Sequence, residues 1–130
     1  MVSLEVAAAL ATALPGVTEG PRHGNRTWFV GAKAFACERP LTKADIKRFG
    51  SDPVPVGDIV AVHVGDLGEK QAILSEGRPG FFTMAHFEGY PAVLVELRLA
   101  RRKDVRELLT DGWLQAAPEE LARAYVENGS

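Results

Sequence analysis

Only one cysteine, Cys37, occurs in the 130 residues. No disulfide can close within such a chain, which fits a reducing compartment. No apolar run approaches the roughly 20 residues that span a bilayer. Met1 to Leu14 is apolar in character, but it lacks a basic leader and Glu5 interrupts it, so it predicts an amphipathic helix rather than a signal peptide. The expected location is cytoplasmic. Charge of one sign is also lacking: 15 basic and 17 acidic residues leave a net charge of -2. That balance counts against a dedicated nucleic-acid binder and leaves only a local basic patch open. Histidine is scarce. His23, His63 and His86 are not paired with one another or with Cys37 at ligand spacing, so no metal site and no cofactor are implied. There is no nucleophile-elbow pattern and no phosphate-binding glycine loop. Cys37 sits beside Phe35 in a candidate strand and is expected to be an inert core thiol. No nucleophile, base and orienting group occur together, so the chain is not expected to be an enzyme.

What is present is an ordinary globular composition, with 46% hydrophobic and 25% charged residues. The length suits one domain over 1–130, with enough chain to build a core without staples. Ser3 caps a predicted helix to about Leu14, with Val6, Leu10, Ala13 and Leu14 on one face. A polar loop containing Gly20, Pro21, Gly24 and Asn25 follows. Thr27–Val30 and Ala34–Glu38 read as a hairpin turning at Gly31, Ala32 and Lys33. Strict alternation there places Phe35 and Cys37 on one face and Ala34, Ala36 and Glu38 on the other. Thr42 and Asp45 form a capping-box pattern for a short helix that Gly50 stops. Ile59–Val64 and Ala92–Leu99 are strong strands. The near-continuous apolar character of the first predicts burial on both faces. Asp66–Glu76 reads as a short helix and Phe81–Phe87 as a weaker strand. Val105, Leu108, Leu109 and Trp113 stripe a helix, and Pro118 opens a last one with Leu121, Ala124 and Tyr125 on its buried side. The expected class is α+β, a mainly antiparallel sheet with helices at both chain ends.

Several segments, in order, resemble the MmcQ/YjbR family of small bacterial proteins. They are Leu14-Pro15-Gly16-Val17-Thr18-Glu19, Gly31-Ala32-Lys33-Ala34-Phe35-Ala36, and His86-Phe87-Glu88-Gly89-Tyr90-Pro91-Ala92-Val93-Leu94-Val95. A Trp113-bearing helix and a final Ala117-Pro118 helix complete the match. The resemblance implies a compact fold of the kind compared with frataxin-like proteins and bacterial secretion chaperones. It also implies DNA binding, the family's common label, and carries over no catalytic motif. The stretch from Leu41 to Gly57 is longer than the corresponding connection in many members. An iron role of the frataxin kind finds only Glu5 on the first helix, too few carboxylates for a hard cation.

Two candidate sites follow. Arg98, Arg101, Arg102, Lys103 and Arg106 lie in one window with Glu96, Asp104 and Glu107. Cations at a helix start oppose the helix dipole, and a phosphate bound at the free backbone N–H groups would offset this. A solvated, internally paired helix face accounts for the same pattern. With Lys33 and Arg26 near the hairpin, and Arg22 beside them, Arg101, Arg102 and Lys103 make the candidate contacts to DNA phosphates. The alternative is a protein- or small-ligand-binding module with a groove near His86, Tyr90, Trp28 and Trp113. A monomer is the default state, with DNA or another protein as the candidate partner and no membrane.

Overall fold

The computed structural model describes residues 1–128. The chain opens with α1 (Leu4–Thr12), capped by the Ser3 hydroxyl, which accepts from the Val6 N–H. β1 (Val17–Arg22), β2 (Asn25–Val30) and β3 (Lys33–Glu38) form a meander. α2 (Lys43–Phe49) begins with the capping box read from the sequence: Thr42 Oγ1 accepts from Asp45 N, and Asp45 Oδ2 accepts from Thr42 N. β4 (Ile59–His63), α3 (Leu67–Ser75), the two-residue β5 (Phe81–Phe82), a 3-10 turn (Ala85–Phe87) and β6 (Ala92–Glu96) follow. α4 (Arg102–Ala116) and α5 (Glu119–Glu127) close the chain. The class is α+β, as expected, with helices at both ends of an antiparallel sheet ordered β1-β2-β3-β4-β6-β5.

The two faces of the sheet are covered differently, and this places the candidate site. On one face Trp28, Val30, Phe35, Val60, Val62, Val93 and Val95 pack against α1 and the Val105–Trp113 stripe of α4. Ala7, Ala8 and Ala11 line the buried side of α1, which lets that helix lie close. Gly112 brings α4 closest to the sheet: a Cβ there would stand 2.6 Å from Val62 Cγ1 and 2.9 Å from the His63 carbonyl oxygen. The opposite face is covered only over β4, β5 and β6. There Ile59, Ala61, Leu94, Met84 and Phe87 form a second cluster with Phe49 of α2. β4 and β6 are therefore enclosed from both sides, which accounts for their unbroken apolar sequences. Among the described residues no helix covers the β1–β3 half of this second face, where Thr27 is buried by its neighbours and Cys37 packs at the margin of the second cluster.

Some expectations need correction. The polar loop before the hairpin is strand β1; Gly20 and Pro21 masked it, and Pro21 is tolerated because β1 is an edge strand. A register shift at Trp28/Phe29 opposes Ala36 to Trp28 and Ala34 to Phe29, leaving Phe35 as the extra residue of a bulge. Phe35 and Cys37 consequently fall on opposite faces, Phe35 in the main core and Cys37 beside Ala61. On α1 the alanines Ala7, Ala8 and Ala11 are the most deeply buried, Val6 and Leu10 pack partly buried beside them and Leu14 is buried as expected, whereas Ala13 is exposed. The Phe81–Phe87 strand shrinks to two residues before the 3-10 turn. On α5, Leu121 and Tyr125 pack inward, whereas Ala124 is exposed.

Candidate functional site

The open half of the sheet holds a cleft of about 290 Å³. Thr27 on β2 and Ala34 and Cys37 on β3 form its floor. One end is built by Arg22 and Asn25, which face each other across the β1–β2 hairpin, and by Arg39 just after β3. His23 adds to that end from the two-residue turn, where its φ of 54° precedes Gly24 at 78°. Such a pair of positive φ angles is what a tight hairpin demands. The other end is closed by His63 and Tyr90, whose rings meet edge to face at 5.6 Å. Arg39 hydrogen-bonds to Ile59 through its N–H, and His63 stands four residues further along β4. The backbone under the two ends is thus four residues apart along the strand, while the Phe87 ring stands 5.3 Å from the Arg39 guanidinium and 5.9 Å from the Tyr90 ring.

The cleft is electropositive. Among the described residues no Asp or Glu lines it. Arg39 is braced from behind: its guanidinium lies 3.1 Å from the buried Asp45 carboxylate and 5.3 Å over the Phe87 ring. Burial works against the Asp45 charge, but the Thr42 donors and Arg39 hold its pKa below the ordinary value. Arg22 makes no ion pair among the described residues. Burial, with help from the nearby charges of Arg22 and Lys33, pulls the His63 pKa down. Burial, with the nearby Glu38 charge, also pushes the Cys37 thiol up, against the pull of Arg39 and Arg22, so it is mostly protonated at neutral pH. His63, expected in the core, is half-buried and belongs to this cleft.

Tyr90 is placed by a residue that the sequence did not single out. Lys70 of α3 is buried, and its ammonium donates to the Phe87 carbonyl at 2.7 Å and to the Tyr90 carbonyl at 2.8 Å. Burial lowers its pKa, with Glu88 opposing. These two bonds staple the turn containing Gly89, whose φ is 77°, to α3. A lone lysine in a short polar helix carries no local signal for this role.

The groove expected from His86, Tyr90, Trp28 and Trp113 does not form. Trp28 and Trp113 are fully buried under the helices; their indole N–H groups donate to Glu19 Oε1 and to the Pro15 carbonyl. An indole whose one donor is satisfied inside is a core residue. Tyr90 lines the cleft on the other face, and exposed His86 borders a separate hollow of about 170 Å³ beside Asp45, Arg48 and Asp52.

Nor do the five candidate DNA contacts converge. Arg26 is held by Glu5 at 2.7 Å and Glu19 at 3.0 Å, and these carboxylates raise its pKa. Arg26 in turn holds the Glu19 carboxyl below its ordinary pKa, against burial and with help from Trp28. Arg101 pairs with Asp104 at 2.9 Å. Asp104 lies in the first turn of α4, so it supplies the negative charge that the basic helix start lacked. Exposed Arg102 and Lys103 remain at that start. Lys33 is far from them: the β3–β4–β6 register puts Lys33 at the His63/Ala92 end of the sheet, while α4 begins beyond Glu96 at the other end.

The class defined by fold and site is therefore an α+β protein with one helix-covered sheet face and a basic cleft on the half-open other face. Uncharacterized protein Rv2570 of Mycobacterium tuberculosis (strain ATCC 25618 / H37Rv) is 42% identical over 131 residues, covering 98% of each chain. Uncharacterized protein MT2646 of M. tuberculosis (strain CDC 1551 / Oshkosh) and uncharacterized protein Mb2600 of Mycobacterium bovis match to the same extent. The chain belongs to the family of these mycobacterial proteins. No family model matches the sequence. No solved structure matches it. Among the described residues no helix is long and apolar enough to cross a membrane.

Proposed function

We propose that this chain is a non-enzymatic, cytoplasmic small-ligand-binding module of MmcQ/YjbR type, and that its site is the cleft on the open half of the sheet. One observation carries this reading. The sheet is sealed on both faces over β4 and β6 but is left open over β1–β3, where polar and aromatic side chains converge on a concave surface. Ligand sites are concave surfaces with a few convergent polar groups on a rigid support. The volume sits at the low end of the range for small-molecule pockets, which suits a metabolite-sized ligand. The segment from His86 to Val95 and the Gly31–Ala36 hairpin support the family placement, and the single cysteine supports the compartment. The test is a fragment screen by two-dimensional NMR, without regard to fragment charge. Hits are expected to shift the amides of Thr27, Cys37, His63 and Tyr90 together. A screen whose hits cluster elsewhere refutes the site.

The second reading is low-specificity DNA binding. Its favouring observation is the start of α4, where no side chain caps the helix and Arg102 and Lys103 stand exposed. Two free cations imply a shallow dependence of affinity on salt, with a slope near -2 on logarithmic axes. Fluorescence anisotropy with duplex DNA at low salt decides it: no binding, or indifference to replacing Arg102 and Lys103 with alanine, removes this reading.

A further inference from the structure

The two ends of the open-face cleft differ in chemistry, and the difference specifies a ligand. At one end Arg22 is unpaired among the described residues, and Arg39 lines the cleft with its guanidinium held by Asp45 and the Pro40 carbonyl. Guanidinium groups offer planar, forked donors that match the oxygens of a carboxylate or phosphate. No acidic side chain lines the cleft among the described residues; Asp45 behind Arg39 and Glu38 beside Cys37 offset part of the positive charge and leave Arg22 without an ion-pair partner. At the other end Tyr90 is 45% exposed and is braced edge-on by His63 and by Phe87. An exposed ring held rigid by neighbouring rings is a surface for a flat apolar group. Between the ends, Thr27, Ala34 and Cys37 make a narrow floor of small side chains. An inorganic ion held between the arginines leaves the Tyr90 ring uncovered, so both ends together require a molecule with a charged head and a flat body.

Accepting that the cleft is a ligand site, we propose that it takes a small organic oxyanion: a carboxylate or phosphate head held by Arg22 and Arg39, and a flat apolar body lying over Thr27 and Cys37 against Tyr90. The ligand is held without covalent chemistry. Arg22 supplies most of the discrimination for charge, because Arg39 is already half-neutralised by Asp45. Cys37 lies under the body of the ligand and is shielded when the cleft is filled.

The lone thiol provides the assay. The rate of Cys37 alkylation is measured on the full chain at slightly alkaline pH against increasing 3-phenylpropanoate, phenyl phosphate, 3-phenylpropan-1-ol, 3-phenylpropylamine and inorganic phosphate. Saturable slowing, several-fold or more, is expected from the propanoate, the phenyl phosphate or both. Whichever acts identifies the head group as carboxylate, phosphate or either. Arg22→Gln is expected to weaken that protection at least five-fold, and Arg22 is exposed, so the variant folds. Protection by the alcohol or amine equal to that by the anions overturns the anionic ligand while leaving the cleft a ligand site. Equal protection by inorganic phosphate overturns the flat body. No protection by any of the five at 10 mM, in about the upper range of metabolite affinities, overturns the proposal as a whole; the charge-blind fragment screen then reports separately on the site.

Discussion

Replacing Lys70 by methionine tests how the wall of the cleft is held. The ammonium makes two hydrogen bonds, to the Phe87 and Tyr90 carbonyls. Bonds from a charged donor contribute about 1.5–3 kcal/mol each, which would set the cost at roughly 3–6 kcal/mol. Two further facts reduce it. Each carbonyl keeps a second donor, since Tyr90 N donates to Phe87 O at 3.0 Å and Ala92 N donates to Tyr90 O at 2.8 Å. Neither acceptor is orphaned. Methionine also removes the desolvation penalty of a buried ammonium, itself several kcal/mol, and keeps most of the apolar stem. The expected net loss is about 1–2 kcal/mol in urea unfolding, with an unchanged slope. The local effect is larger than the global one. Amide exchange at Phe87, Tyr90 and Ala92 should accelerate by at least ten-fold relative to the centre of β4, because this turn is attached to α3 mainly through that side chain. Tyr90 then loses its fixed position, and binding in the cleft weakens without a change at Arg22. Exchange at the 87–92 amides that matches wild type, with a stability change under about 0.5 kcal/mol, the ordinary scatter of surface substitutions, would refute the staple.

Gly112→Ala sets propensity against packing. Alanine gains about 1 kcal/mol in a helix interior, but its Cβ would meet buried Val62 at 2.6 Å and the His63 backbone oxygen at 2.9 Å. Overpacking costs about 1–3 kcal/mol, and a rigid strand backbone yields little, so denaturant unfolding should show a net loss; a gain would mean α4 does not approach β4 this closely. His63 should titrate below an ordinary histidine, because burial and the charges of Arg22 and Lys33 disfavour its protonated form, with His23, Cys37, Arg39 and Tyr90 also around the cleft. The unfolded chain then binds the proton more readily, so stability falls as pH drops below about 6.5 and levels off below the folded pKa. NMR titration should show the His63 pKa rising in Arg22→Gln, and a His63 that titrates at or above the ordinary value excludes a positive cleft. Asp45→Ala removes the carboxylate half of the α2 capping box, which accepts from Thr42 N, and the brace behind Arg39, while Thr42 still caps the helix. It should lower stability by about 1–3 kcal/mol, the cost of losing a hydrogen bond to a charged group, and weaken anion binding as well; unchanged protection of Cys37 by the anionic probes would show that Arg39 needs no brace.

The elements with strong local signals were legible. The Thr42/Asp45 capping box, the apolar runs of β4 and β6, and the Val105–Trp113 stripe appear in the structure where their spacing put them. β1 was not legible, because an edge strand need not be apolar and Pro21 is a breaker everywhere else. The bulge at Phe35 was not legible either. It changes facing by one residue, which is enough to move Cys37 from the main core to the floor of the cleft. Of the site, Tyr90 and Arg22 drew notice, His63 was read as a core residue because it stands in an apolar run, and Arg39, an arginine at a strand end, carried no signal. The tryptophans misled for a related reason: amphipathic rings suit a groove and a core equally, and only the partner of the indole N–H distinguishes them.

Periodicity, caps and turn residues determined which segments became helices and strands, because these depend on contacts within a few residues of each other. They also determined that the chain could fold as α+β without disulfides. Whether charges meet was decided elsewhere. Arg26 is neutralised by Glu5, 21 residues away, and Arg101 and Lys33 are kept at opposite ends of the sheet by strand register. The cleft exists because α2 and the 3-10 turn cover β4–β6 and lay no helix over β1–β3, a consequence of how the layers stack and not of any local sequence pattern.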